Sequence, residues 1–264
     1  MKIITIEGKE KGNIELPSQF NEEIRPDIIK RAFYAINRRQ PYGASPEAGK
    51  RSSAVLSRRR KNYRGSYGHG ISRVPRKIMS RSGARFNWVG AFAPGTVGGR
   101  RAHPPKAEKI WEKKINKKER RKAIRSAISA TIQVEIVKAR GHIVPNNYPL
   151  ILENKIESLS KTKDIKDILE KIGLKGELER AGIKNVRAGR GKSRGRKYQR
   201  RKGPLIVVGN ECELMKGVRN ISGIDIVKVN NLNAGLLAPG ANPGRLTLWT
   251  ESAIDKMKNE KLFW

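Results

Sequence analysis

The sequence predicts an α/β fold: a parallel sheet with helices on both faces, from which strongly cationic segments leave and return. Three observations predict it. Apolar-rich runs of strand length, Leu150–Leu152, Leu205–Val208, Ile224–Val229 and Leu246–Trp249, alternate with stretches of helical period, the pattern of strands buried on both faces. Lys and Arg outnumber Asp and Glu 58 to 24 over 264 residues, a formal net charge of +34. That excess is confined, because residues 41–125 and 184–202 hold thirty of those charges and the rest of the chain is nearly neutral.

Composition narrows the function classes. Hydrophobic residues make up 37% of the chain, below the roughly 45–50% of an average soluble domain, so part of it lies outside any packed core. A single Cys excludes an internal disulfide framework and a thiolate metal cluster, and fits a reducing, cytoplasmic setting. The opening MKIITIEGKEKG has no apolar h-region and no window approaches about 18 apolar residues, so no secretion signal or membrane span is expected. A pI near 10.7 points to a polyanionic partner, either nucleic acid or an acidic membrane surface.

Taken in order, Ile3–Ile6 reads as a short strand. A helix follows over 26–38, with Pro26 suited to its first position and Ile28, Ile29, Ala32, Phe33 and Ile36 at helical spacing. Residues 41–105 then carry fourteen basic groups against one acid, ten Gly and six Pro, with aliphatics at no regular period. So long a stretch inside a compact domain is functional or disordered. Six of the fifteen aromatics lie in it (Tyr42, Tyr63, Tyr67, Phe86, Trp88 and Phe92), which argues for a loop that orders on RNA by stacking on unpaired bases.

A basic helix is expected near 117–140, with Ala123, Ile124, Ala127, Ile128, Thr131 and Ile132 on one side and Gly141 as its cap. After Leu150–Leu152 comes a helix through Ile165, Ile168, Leu169 and Ile172, stopped by Gly173, then a second near Gly176–Ala181. Beyond the basic run, Leu205–Val208 is a strand, 211–219 a helix, Ile224–Val229 a strand and Ala234–Leu237 a helical turn. Leu246–Trp249 and a helix from about 251 complete the order. The organisation is therefore one globular α/β domain from 1–40 and 106–264, an inserted extended basic loop at 41–105, and a basic excursion at 184–204.

Catalytic and nucleotide signatures fail on context. GRGKS at 189–193 ends like a phosphate loop, but Val186 stands where its first Gly is required, and RGRKYQRRK follows where a helix is needed. His69, His103 and His142 are far apart and lack carboxylates at ligand spacing. Cys212 reads as a lone helical thiol. No enzyme, cofactor, metal or small-molecule substrate is implied. The run 184–202 has ten basic residues and no acid, unlike a mixed-sign solubilising surface. Arg supplies bidentate contacts to phosphate and Gly permits close backbone approach. The candidate RNA contacts are thus Arg51, Arg58, Arg59, Arg60, Lys61, Tyr63, Arg64, Arg73, Arg76, Lys77, Arg81, Arg85, Trp88, Arg100 and Arg101 in the loop. In the second run they are Arg187, Arg190, Lys192, Arg194, Arg196, Lys197, Tyr198, Arg200, Arg201 and Lys202.

Several stretches, in order, resemble the archaeal and eukaryotic branch of the large-subunit ribosomal protein four family. They are KNYRGSYGHGISRVPR (61–76), GGRRAHPP (98–105), RKAIRSAISAT (121–131), KARGH (138–142), RAGRGKSRGRKYQRRKGPLIVV (187–208) and GVRNISGIDIVKVNNLNAGLLAPGANPGRLTLWTESA (217–253). The resemblance implies a three-layer α/β/α domain on a mostly parallel four-stranded sheet, seated on the outer surface of the large subunit. It implies a long internal loop running through rRNA to the exit tunnel, with Tyr67, Gly68, His69, Gly70, Ile71, Ser72 and Arg73 nearest the tunnel. It also implies binding to large-subunit rRNA early in assembly, bridging of rRNA domains, and contact with other large-subunit proteins and the nascent polypeptide. Lys77–Ser80 and Phe86–Val89 stand where relatives often carry more glycine.

Two other classes fit part of the pattern. A DNA-compacting protein explains the charge and predicts similar affinity for any duplex. An RNA-modifying enzyme with a basic arm needs a Gly-rich turn after a buried strand, whereas GNECELMKG follows Leu205–Val208.

Overall fold

The computed structural model describes residues 1–37, 68, 70, 73–82, 85–90, 93–99, 101–104, 106 and 108–264. They fall into two compact units, Met1–Asn37 with Lys113–Trp264, and Arg38–Glu112. The first opens with strands β1 (Lys2–Ile4) and β2 (Glu10–Asn13), a 3-10 turn at Ser18–Asn21 and helix α1 (Pro26–Asn37). The second contains an antiparallel ribbon, β3 (Arg76–Ser82) and β4 (Arg85–Gly90). The first unit resumes with α2 (Lys117–Ile132), α3 (Val134–Ala139), β5 (Ile151–Leu152), α4 (Thr162–Leu169) and α5 (Lys175–Gly182). A second antiparallel ribbon, β6 (Lys184–Val186) and β7 (Tyr198–Arg200), follows. Then come β8 (Leu205–Val208), α6 (Leu214–Val218), β9 (Asp225–Lys228), α7 (Ala234–Leu237), β10 (Thr247–Thr250) and α8 (Glu251–Asn259).

The central sheet runs β2-β1-β5-β10-β8-β9, and every pairing is parallel except β1 with β2. Its strands are apolar on both sides because successive side chains point to opposite faces and both faces are covered. Leu150, Leu152, Ile206, Val208 and Leu248 enter one core with Ile165, Ile168 and Leu169 of α4, Leu178 of α5 and Val218 of α6. Ile151, Leu205, Val207 and Trp249 enter the other with Ile29 of α1, Ile124 and Ile128 of α2, and Ile254 and Met257 of α8. This is the expected three-layer α/β/α arrangement. Each of these side chains contributes about 1.5–3 kcal/mol on burial.

The structure departs from the sequence reading at five points. The sheet has six strands where the resemblance implied four: β1 adds an apolar strand beside β5, and β2 is an exposed edge whose residues EKGN show no alternation. The helix expected over 117–140 is two helices, broken at Gln133 (φ −74, ψ 108) among the β-branched Thr131, Ile132 and Val134. Gly141 (φ +91) does close α3, with its N–H on the Lys138 carbonyl (2.8 Å) and the His142 N–H on that of Val137 (3.4 Å). The loop at 41–105 is not without regular structure, since β3 pairs with β4 through Arg76↔Gly90, Ile78↔Trp88 and Ser82↔Arg85. The excursion after α5 is likewise a paired ribbon, and Cys212 precedes α6 rather than lying within a helix.

Candidate nucleic-acid interface

The ribbon β6–β7 leaves α5 at Gly182 and pairs Lys184↔Arg200, Asn185↔Gln199 and Val186↔Tyr198. The Arg187 N–H extends the ladder to the Lys197 carbonyl (2.7 Å). At the tip, Gly189 (φ +76) and Gly195 (φ +78) take left-handed conformations that a Cβ resists. Turn bonds from Lys192 to Gly189 (3.2 Å) and Arg196 to Gly191 (3.1 Å) fold the tip back. The GRGKS lookalike therefore occupies the turn of a ribbon, with a strand after it and not the helix of a phosphate loop.

None of residues 184–202 is buried. All ten contacts expected there, from Arg187 to Lys202, are brought onto this one projection. Among the described residues, the side chains of Arg190, Lys192, Arg194, Arg196 and Arg201 have no acidic partner. Lys202 pairs with Asp225 (3.1 Å), and Arg200 donates to the Ser222 hydroxyl (3.0 Å). The Lys184 ammonium lies 3.8 Å from the centre of the Tyr198 ring, which holds the aromatic on the ribbon. So many unpaired cations repel each other. An anion supplied from outside relieves that repulsion.

Buried charge holds the neck of this projection. Arg245 is 0% exposed, and its guanidinium donates to the carbonyls of Gly203 (2.9 Å), Leu236 (3.0 Å) and Pro204 (3.4 Å) and to Asp225 Oδ2 (2.6 Å). Burial draws the Arg245 pKa below its ordinary value, while Asp225 opposes that shift. Burial would raise the Asp225 carboxyl, but Arg245 and then Lys202 hold it below the usual carboxylate range.

Beside it, Arg180 donates to Glu177 Oε1 (2.5 Å) and to the Lys202 carbonyl (2.7 Å), and His142 Nδ1 lies 2.7 Å from the same Glu177 oxygen. Burial again pushes Glu177 up, and Arg180, His142 and the Ile143 N–H together bring it below its ordinary value. Three successive carbonyls, 202 to 204, are thus held by two guanidiniums. Gly203 and Gly223 allow the close approach: a Cβ on Gly203 would stand 2.9 Å from the Ala181 Cβ, and one on Gly223 (φ +81) 2.7 Å. Arg140 lies near the two guanidiniums; its pKa is pushed down to about 10 by burial and then by the charges of Arg245 and Arg180. It donates to the carbonyls of Pro239 (2.6 Å) and Asn242.

In the second unit, Arg73 and Arg101 are exposed and Arg76 and Lys77 half-buried, with Arg81 on β3 and Arg85 and Trp88 on β4. Gly68 (φ +79) and Gly70 (φ +62) have the left-handed backbone that only glycine takes freely. Arg51, Arg58, Arg59, Arg60, Lys61, Tyr63, Arg64 and Arg100 lie outside the described residues, as do Tyr67, His69, Ile71 and Ser72 of the tunnel-proximal set.

Sequence reasoning left the start of α2 out of the candidate contacts, although Lys117, Lys118, Arg120 and Arg121 are exposed there. The confinement of charge to 41–125 was the available signal. Some of that charge is structural: Arg125 pairs with Glu22 (2.7 Å), while Glu119 takes Arg31 of α1 as its partner (2.8 Å). The neck was also missed, because a lone Arg between Gly244 and Leu246 carries no sign of burial.

The chemistry available is binding. The Cys212 thiol is pushed up by burial, away from the reactive thiolate. Among the described residues, no three His, Cys, Asp or Glu side chains gather as metal ligands, and no helix is long and apolar enough to cross a membrane.

Residues 14–260 match the family model described as the ribosomal protein L4/L1 family. The chain is 55% identical over 265 residues to the large ribosomal subunit protein uL4 of Nanoarchaeum equitans, covering 99% of this chain and 98% of that protein. It is 46% identical to the protein of the same name from Archaeoglobus fulgidus, with 96% of both chains covered. For the Methanococcus vannielii protein of that name the identity is 47% over 98% of both.

Proposed function

The chain belongs to the ribosomal protein L4/L1 family, and from that membership we propose that it binds large-subunit rRNA early in assembly and bridges several rRNA domains. In this reading it is a structural, non-catalytic constituent of the large ribosomal subunit in the cytoplasm. Its loop 41–105 runs inward and helps line the polypeptide exit tunnel. Large-subunit rRNA, other large-subunit proteins and the nascent polypeptide are its partners.

The observation that carries the reading is the unpaired charge on the ribbon β6–β7, held on a preformed neck. Phosphate neutralisation releases counterions, so a row of free Arg and Lys favours a dense polyanion. Guanidiniums reach phosphate oxygens bidentately, which fixes register without reading sequence. Tyr198 on the ribbon and the aromatics of 41–105 add stacking on unpaired bases.

Titration of the purified chain against large-subunit rRNA, small-subunit rRNA and duplex DNA at several salt concentrations tests this. The expected result is a preference for large-subunit rRNA that survives as salt rises. Equal affinity for all three would favour the DNA-compacting alternative. For the tunnel, photo-crosslinkers in stalled nascent chains are expected to label residues 66–76. Labelling of neighbouring tunnel components alone would remove the tunnel role.

A further inference from the structure

The second unit contains a cleft of about 590 Å³ at residues 101–111. Its size is that of a small-molecule or nucleotide site. Its walls combine an indole, an imidazole, cations and one carboxylate. We propose that this cleft takes a single unstacked guanine base of single-stranded RNA, an inference that rests on the RNA-binding reading above. Trp111 supplies the stacking surface. The Lys109 ammonium 4.8 Å from its ring centre holds the indole and places a cation next to the bound base. His103 and Pro104 form flat sides to the same space.

Charge in the cleft decides which base. Lys106 and Lys109 line it with Arg101 and suit the phosphates flanking a splayed nucleotide. A carboxylate has no place on a surface built for phosphate alone, because it repels the ligand. Glu108 nonetheless lines the cleft and forms no ion pair among the described residues. A carboxylate accepts from N–H and O–H donors alike, but two adjacent N–H donors satisfy both of its oxygens at once. Guanine alone presents two adjacent donors on its Watson–Crick edge, N1–H and the 2-amino group, in the spacing of two carboxylate oxygens. Unstacked bases in RNA are read on such edges while they stack on aromatic rings. The cleft therefore unites a stacking platform, phosphate cations and a reader of guanine.

The test is competition binding on the full-length protein. A labelled RNA pentamer UUGUU is displaced by unlabelled UUGUU, UUAUU or UUCUU, or by GMP. The expected preference for UUGUU over UUAUU is at least about tenfold, the scale of a bidentate base contact. In Glu108→Gln that preference falls to about twofold while UUAUU affinity is unchanged, since Gln offers one acceptor oxygen in place of two. Trp111→Leu weakens all pentamers by about tenfold or more, and Trp111→Phe, which keeps a ring, recovers part of the loss. No preference for guanine, or a preference that persists in Glu108→Gln, overturns the proposal. Competition by GMP equal to that by UUGUU overturns the RNA assignment in favour of a free nucleotide. Intact large-subunit rRNA is titrated beside the pentamers. Lost discrimination with rRNA still bound sinks the cleft alone, whereas failure to bind that rRNA sinks the ribosomal reading.

Discussion

Replacing Arg245 by Met removes the guanidinium from the neck and keeps most of the side-chain volume. In the folded protein that group is fully buried and donates to three carbonyls and to Asp225. The losses are unequal. Pro204 keeps the Asp225 N–H on its carbonyl (3.2 Å), and Asp225 keeps Lys202 (3.1 Å) and is 33% exposed, so its charge stays hydrated. Gly203 loses the donor on its carbonyl outright. Breaking a buried ion pair costs about 3–5 kcal/mol, and the partial exposure of Asp225 puts this one near the lower figure, about 3 kcal/mol. For a chain of this length that lowers Tm by about 6–12 °C. The assay is thermal unfolding at pH 7 followed by circular dichroism, with Arg245→Lys as a companion that keeps the charge and is expected to fall between. A drop of less than about 2 °C for Arg245→Met would show that water replaces the guanidinium at no cost, and would refute the claim that the neck is held by it.

Changing Arg194, Arg196, Arg200 and Arg201 together to Ala is expected to weaken rRNA binding and flatten its log–log salt dependence by about 3 units, at roughly 0.7–0.9 per phosphate contact; an unchanged slope would make the ribbon a solvated projection. Gly223→Ala is expected to destabilise by about 1–3 kcal/mol, because a Cβ at φ +81 would stand 2.7 Å from that of Ala181; chemical denaturation with an unshifted midpoint would contradict the packing described. Glu177 has its pKa lowered in the fold, so its contribution is present above the unfolded value of about 4.3 and is lost as pH falls through the folded value. Glu177→Gln is accordingly expected to be less stable than the parent at pH 7, with the gap closing below about pH 4; a gap constant with pH would show that the carboxylate charge is not what binds His142 and Arg180.

What could be read in the sequence follows from where the free energy lies. Leu205–Val208 and Leu246–Trp249 were legible because burial on both faces demands apolar side chains at nearly every position, where a half-exposed strand alternates. α1 was legible because one face packs and one does not. β2 was not, because its residues stay exposed and its pairing with β1 uses backbone groups that every residue has. The same holds for the β6–β7 ribbon, whose strand residues all stay exposed and bury no side-chain stripe that a period could reveal. The site divides likewise. The cations of 184–202 stood out as a run without an acid, while Arg180, Glu177, His142 and Arg245 are scattered over a hundred residues and meet only through the fold.

Where the chain travels in the cell tests its place in the large subunit most directly. A tagged copy expressed in its own cells is sedimented through a sucrose gradient after magnesium depletion has separated the ribosomal subunits. A constituent of the large subunit migrates with large-subunit rRNA and remains there after a moderate-salt wash. A chain found with the small subunit, or at the top of the gradient while other large-subunit proteins stay bound, would contradict that place.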